Sequence, residues 1–166
     1  MSLKMVKNLC ALACALMMGL FAFGCTMPQN PDAQSTAESS RQYMADVNQM
    51  VEKLSTQLDG FQDAVSREDA VTMRTQADNA FQILDEMAAL EAPEELADLK
   101  KSYTQGADQL KSALNNYIDL YTEITTANAS HPFDYSTYQD RLSDIQDKYN
   151  EGVQTLEDAD KSATEL

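Results

Sequence analysis

The sequence predicts an all-α chain folded as an antiparallel four-helix bundle, and three observations carry that reading. Apolar residues recur at alternating steps of three and four from Tyr43 to Leu156, the period of helices with one buried face. The pattern breaks near residues 66–69, 91–95 and 125–134, where cap and stop residues gather. Strand signals are missing, since no run alternates and no Asn-Gly or Asp-Gly turn lies between β-branched runs. An up-down-up-down arrangement buries all four apolar faces, and the near-3.5 spacing predicts shallow, left-handed crossings.

The first helix is expected over about 41–65, with Tyr43, Val47, Met50, Val51, Leu54, Leu58, Phe61 and Val65 on one face. Ser66-Arg67-Glu68-Asp69 reads as a short turn, with Ser66 as the N-cap of the second helix and Asp69 in the acid position of a capping-box-like pair. That helix, about 67–91, carries Val71, Met73, Ala77, Ala80, Phe81, Leu84, Met87 and Ala88. Glu91-Ala92-Pro93-Glu94-Glu95 opens the third, about 93–126, because proline suits a first turn and glutamates suit its positive end.

The third stripe runs Leu96, Leu99, Tyr103, Ala107, Leu110, Leu114, Tyr117, Leu120, Tyr121 and Ile124, and His131-Pro132 stops it. The fourth helix, about 135–162, starts near Asp134 or Ser136 and shows Tyr138, Leu142, Ile145, Tyr149, Val153 and Leu156. The bundle domain is therefore 41–163. Two alternatives stay open: helices two and three run on with a kink at Pro93, or helices one and two form a hairpin against a partner chain.

Residues 25–40 hold Pro28, Pro31 and polar side chains without an apolar period, the composition of a flexible tether. As a coil it spans roughly 20 Å. Ahead of it, Lys4 and Lys7 precede an apolar run over residues 9–23 that closes on Gly24-Cys25. The run falls short of the roughly 20 residues a spanning helix needs and fits the core of a signal peptide, here 1–24.

Ala22-Phe23-Gly24-Cys25 resembles the bacterial lipobox: an aliphatic residue, two small ones and a cysteine. Gly24 and Cys25 match, while Ala22 is smaller than the usual leucine and Phe23 is bulkier than expected. The resemblance implies cleavage between Gly24 and Cys25 and a diacylglycerol on the Cys25 thiol. It also implies a lipid anchor holding the chain on the extracytoplasmic face of a bacterial cell membrane. Ordinary secretory cleavage, which Ala22-Phe23-Gly24 also fits, and a retained anchor are the alternatives. The cysteine count supports lipidation. Cys10 and Cys14 fall within the signal, so Cys25 is otherwise a lone reactive thiol. Two acyl chains hold firmly where one does not.

Removing residues 1–24 takes away Lys4 and Lys7 and moves the net charge from -15 to about -17. Such acidity argues against nucleic acid, whose phosphates need Lys and Arg, and against docking of the domain on anionic lipid. Chemistry is sparse. Di-iron and haem sites need histidines on core faces, and the single histidine, His131, lies in a loop; a structural zinc needs about four Cys or His ligands, and beyond the signal the chain has only His131 and Cys25. No Gly-x-Ser-x-Gly elbow or glycine-rich phosphate loop occurs.

Glu157-Asp158-Ala159-Asp160 lacks the glycine and closing glutamate of a calcium loop and reads as a solvated or fraying end. Asp59 and Asp63 read as a water-facing pair, and Met44, Met50, Met73 and Met87 as core filler. No metal site and no cofactor are expected.

The one local concentration is the third loop. His131, Phe133, Tyr135 and Tyr138, with Tyr121 just before, make a candidate recognition patch, since tyrosine gives large contact area at little entropy cost. The competing reading has Phe133 and Tyr138 plugging the bundle end. The expectation is a non-enzymatic, membrane-tethered module that binds or scaffolds another envelope component. The rival is a small-ligand or cation carrier using a helix crevice or the acidic surface.

Overall fold

The computed structural model describes residues 31–164. Its helices are α1 (Pro31–Arg67), α2 (Ala70–Ala89), α3 (Ala97–Thr126) and α4 (Tyr138–Thr164). Single 3-10 turns at Glu94–Leu96 and Tyr135–Thr137 lead into α3 and α4. No strand occurs among the described residues, and the chain is the all-α four-helix bundle its periodicity predicts. No helix among them is long and apolar enough to cross a membrane.

Side-chain contacts show how the helices run. On α1 and α2, Asn79 donates to Gln57 at 3.2 Å while Gly60 lies against Gln76. On α3 and α4, Tyr103 meets Asp160, Gln109 meets Thr155 and Glu123 meets Arg141. In each pair the residue number falls along one helix as it rises along the other, so these helices are antiparallel. Lys111 on α3 reaches Asp85 on α2. Packing follows chain order, α1 on α2, α2 on α3 and α3 on α4, and the α1–α4 pair lacks that close approach.

The core is continuous. Val47, Met73, Leu84, Met87, Tyr103 and Leu110 are its largest fully buried side chains. Met44 and Met50 pack partly buried against it. Buried Ala64, Ala77 and Ala80 lie on α1 and α2. α3 and α4 come close to each other at Gly106 and Gly152. A Cβ built on Gly106 would stand 2.8 Å from Leu156 and 3.1 Å from the Gly152 carbonyl. One on Gly152 would stand 2.8 Å from Leu110 Cγ and 3.0 Å from its backbone nitrogen. Glycine costs helix stability, and here it lets two backbones touch.

Several expectations are corrected. Residues 31–40, read as tether, are the first ten of α1. Proline suits a first helical turn, and Ala33, Ala37 and Glu38 are good helix formers. The Ser40 hydroxyl fixes the segment, its one proton shared between the Thr36 carbonyl at 3.0 Å and the Glu95 carboxylate at 2.8 Å. Residues 25–30 and the signal region 1–24, with Gly24 and Cys25, lie outside the described residues.

The N-cap of α2 is Asp69, not Ser66. Asp69 accepts from the Thr72 amide at 3.0 Å and the Thr72 hydroxyl at 2.6 Å, whereas Ser66 donates back to the Asp63 carbonyl. Before that cap, α1 ends in a Schellman motif: the Asp69 amide bonds to the Ala64 carbonyl and the Glu68 amide to that of Val65. Glu68 sits at φ 61°, the position glycine normally fills. The α2–α3 connection is a break with a turn at Pro93–Leu96, not a kink in one long helix.

Val71, placed on the α2 stripe, is 78% exposed. It precedes Met73 by two residues, about 200° around the helix, so the two do not share a face. The 157–160 run is not a purely solvated end, because Ala159 is buried in the core and Asp160 is bonded to Tyr103.

Candidate functional site

Among the described residues, three places gather functional groups. The first is the α3–α4 loop. Asn128 folds it as an Asx turn, its side-chain oxygen accepting from the Ser130 amide at 2.9 Å and the His131 amide at 3.1 Å. Asp134 caps the next turn through the Ser136 amide and hydroxyl, and those bonds hold its carboxyl below the usual range. Phe133 meets Tyr135 edge-on at 5.0 Å between ring centres and Tyr138 at 6.4 Å. Phe133 and Tyr138 also pack on the core, whereas Tyr135 is 67% exposed.

His131 and Phe133 line a shallow depression of about 280 Å³ with Glu123, Asp134 and Arg141. Arg141 grips Glu123 through two bonds of 2.5 and 2.9 Å. The pairing lowers the acid's pKa and raises that of the base. Tyr121 is engaged elsewhere: its hydroxyl donates to the Glu68 carbonyl at 2.9 Å and ties α3 to the α1–α2 turn. The structure therefore brings Phe133, Tyr135 and Tyr138 into ring contact and sets His131 beside Phe133. Tyr121 joins a different cluster.

The second place went unread in the sequence. Between α1, α3 and α4 lies a cleft of about 70 Å³. Leu58, Phe61 and Val65 form one wall, Ala113, Leu114 and Tyr117 the floor, and Ile145 and Tyr149 the other wall. Phe61 and Tyr117 meet edge-on at 5.7 Å across wall and floor. Gln62, Gln146 and Asn150 complete the lining. In a chain of net charge -15, no charged residue among the described ones lines this cleft.

The third place is the opposite end of the α3–α4 pair. Tyr103 is 1% exposed and donates to Asp160 Oδ1 at 2.5 Å. Burial pushes the Tyr103 hydroxyl's pKa up, and the adjacent Asp160 carboxylate adds to that. Burial also raises the Asp160 carboxyl, against the opposing effect of the Tyr103 bond. The Tyr43 hydroxyl, also buried, has no hydrogen-bond partner among the described residues.

Among the described residues, no group of three His, Cys, Asp or Glu side chains converges as a metal site. Asp63 holds Arg67 on the α1 surface. Comparison with protein-family models, with curated proteins and with solved structures finds no match for this chain. What the molecule does must be argued from its own surfaces.

Proposed function

We propose that this chain is a lipid-anchored, extracytoplasmic and non-enzymatic module that docks another component of a bacterial cell envelope. Cys25 supplies the anchor and the bundle supplies the binding surface. The observation that carries the docking half is the cleft between α1, α3 and α4, apolar on walls and floor and ringed by amides. Its volume selects the kind of occupant. About 70 Å³ is room for roughly five to seven water positions at 10–15 Å³ each. Pockets for drug-sized ligands run to about 300–1,000 Å³. The cleft suits one apolar side chain of a protein partner better than a carried small molecule.

The test is photo-cross-linking in the native host, with a benzophenone amino acid at Gln146 on the cleft lining and, separately, at Asp78 on exposed α2. A discrete adduct from position 146 that is absent from position 78 is the expected result. Identical patterns from both positions, or none from either, would remove the docking reading. Metabolic fatty-acid labelling of the same cells reports the anchor. Label on the wild-type chain that vanishes in Cys25→Ser is expected, and label that persists in the variant would place the lipid elsewhere.

A further inference from the structure

The chemistry of the cleft's surroundings narrows the partner. On α1, Met44, Val51, Leu58 and Val65 repeat every seven residues, and on α4 Leu142 and Tyr149 do the same. All of them pack on the core, yet Met44, Val51, Leu142 and Tyr149 keep part of their surface in water. The two helices do not close on each other. Heptad lines on two separated helices are walls between which a further helix seats its own apolar positions. The cleft between Leu58 and Ile145 is the hole for one such side chain.

Charge then selects the helix. Gln57, one residue before the α1 line at Leu58, meets Asn79 on α2. Residues one step after the line therefore fall on the side away from α2, next to the open seam. Those residues are Ala45, Glu52, Asp59 and Ser66, all exposed; the two charged ones are acids, and Asp63 follows one turn on while holding Arg67. A second copy of the chain would set this acidic strip against another body of net charge -15. An anionic lipid surface would meet the same repulsion.

We propose that the α1–α4 groove takes a basic amphipathic helix of a partner protein. One apolar side chain enters the cleft, and Lys or Arg residues beside it face Glu52 and Asp59. The proposal rests on the reading of that cleft as the docking site.

The test uses the full chain in nanodiscs of zwitterionic lipid, with empty nanodiscs as the blank. The probe is a fluorescein-labelled peptide of about 18 residues with Leu at heptad positions a and d and Lys elsewhere. The control replaces every Lys by Glu. Anisotropy titration is expected to show the Lys peptide binding about tenfold or more tighter than the Glu peptide. Ala113→Leu, which fills the cleft without touching charge, is expected to weaken it by about tenfold. Gln146→Trp, which covers the cleft from its lining, repeats the loss should Ala113→Leu melt early.

Equal binding by wild type and both cleft variants would mean that charge alone holds the peptide, and would overturn the proposal. So would preference for the Glu peptide. Absent peptide binding beside a discrete adduct at Gln146 would overturn the basic helix and leave the docking site standing. Loss of both would remove the site as well.

Discussion

The α3–α4 seam and the α1–α4 seam share one helix and end in opposite states. Along the first, Gly106 and Gly152 bring two backbones together, and polar bonds cross at Tyr103–Asp160, Gln109–Thr155 and Glu123–Arg141. Along the second, α1 and α4 stand apart over the apolar cleft. The contrast teaches that the open seam follows from the closed one. With α4 fixed on α3 at bare-backbone distance, and α1 packed on α2, neither helix can shift to close the gap without breaking a tighter contact. A cleft held open by packing is already shaped before anything binds, and under the proposed docking role that lowers the ordering cost of binding.

The largest expected effect breaks the closed seam. Gly152→Leu drives a branched side chain into Leu110 Cγ and the Leu110 backbone, both already within 3.0 Å of where its Cβ would lie. Backbone is the part that cannot give, so the helices must separate. The expected cost is about 3 kcal/mol, near the upper end for overpacking. Urea unfolding monitored by circular dichroism reads it, and a change below about 0.5 kcal/mol would mean that the seam yields to the added side chain.

Next comes the polar end of the same seam. Tyr103→Phe leaves the half-buried Asp160 carboxylate without its donor, for an expected loss of about 1–2 kcal/mol in the same assay. Asp160→Asn keeps an acceptor for Tyr103 and removes the ionisation. Burial holds the Asp160 carboxyl above its ordinary range, so the fold prefers the protonated form. That contribution is complete below the unfolded value of about 3.9 and is lost as pH rises through the raised one. The stability of Asp160→Asn relative to wild type should therefore climb as pH rises above the unfolded value of about 3.9. A flat difference would mean that water reaches the carboxylate freely.

How much of this contrast was legible differs from element to element. The number and order of helices follow from apolar spacing because each stripe must be buried, and Tyr43 to Val65 on α1 shows it most cleanly. The first ten residues of α1 carry no stripe. Their helix depends on propensity, on continuation from the turns that follow, and on the Ser40–Glu95 bond, which pairs residues 55 apart. The end of α1 was hidden for another reason. A Schellman motif announces itself by glycine, and here Glu68 occupies the left-handed position.

The aromatic loop was readable as a cluster, but Tyr121 was not readable as a strut on the Glu68 carbonyl, a contact across 53 residues. The cleft was least visible of all. Gly106 and Gly152 bear no apolar side chain and so leave no mark on the stripes, and nothing local said that closing α3 on α4 would leave α1 at a distance.

Glu68 gives a smaller test of the scaffold that supports the cleft's α1 wall. A non-glycine residue in the left-handed region bears a steric cost that Glu68→Gly relieves, partly offset by the freedom glycine gains when unfolded. The Tyr121 bond survives, since it uses the Glu68 carbonyl. The expected outcome is a gain of about 0.5–1 kcal/mol, seen as a higher melting temperature by calorimetry. A lower one would mean that the Glu68 side chain contributes to the turn in a way that outweighs its backbone cost.

The smallest effect is the sharpest comparison. Ala113→Leu on α3 makes nearly the same change as Gly152→Leu on α4, a small buried residue enlarged to leucine. Ala113 is 1% exposed and lines the cleft, so its added carbons have about 70 Å³ to enter. Each buried methylene gains about 0.8 kcal/mol at best, and imperfect fit returns most of that. The expected change is within about 0.5 kcal/mol of zero, against the roughly 3 kcal/mol loss at Gly152. Measured side by side by urea unfolding, the two leucines separate a seam with no space from one with space to fill. A large loss at Ala113 would show that the cleft closes in solution, and its claim to be a docking site would go with it.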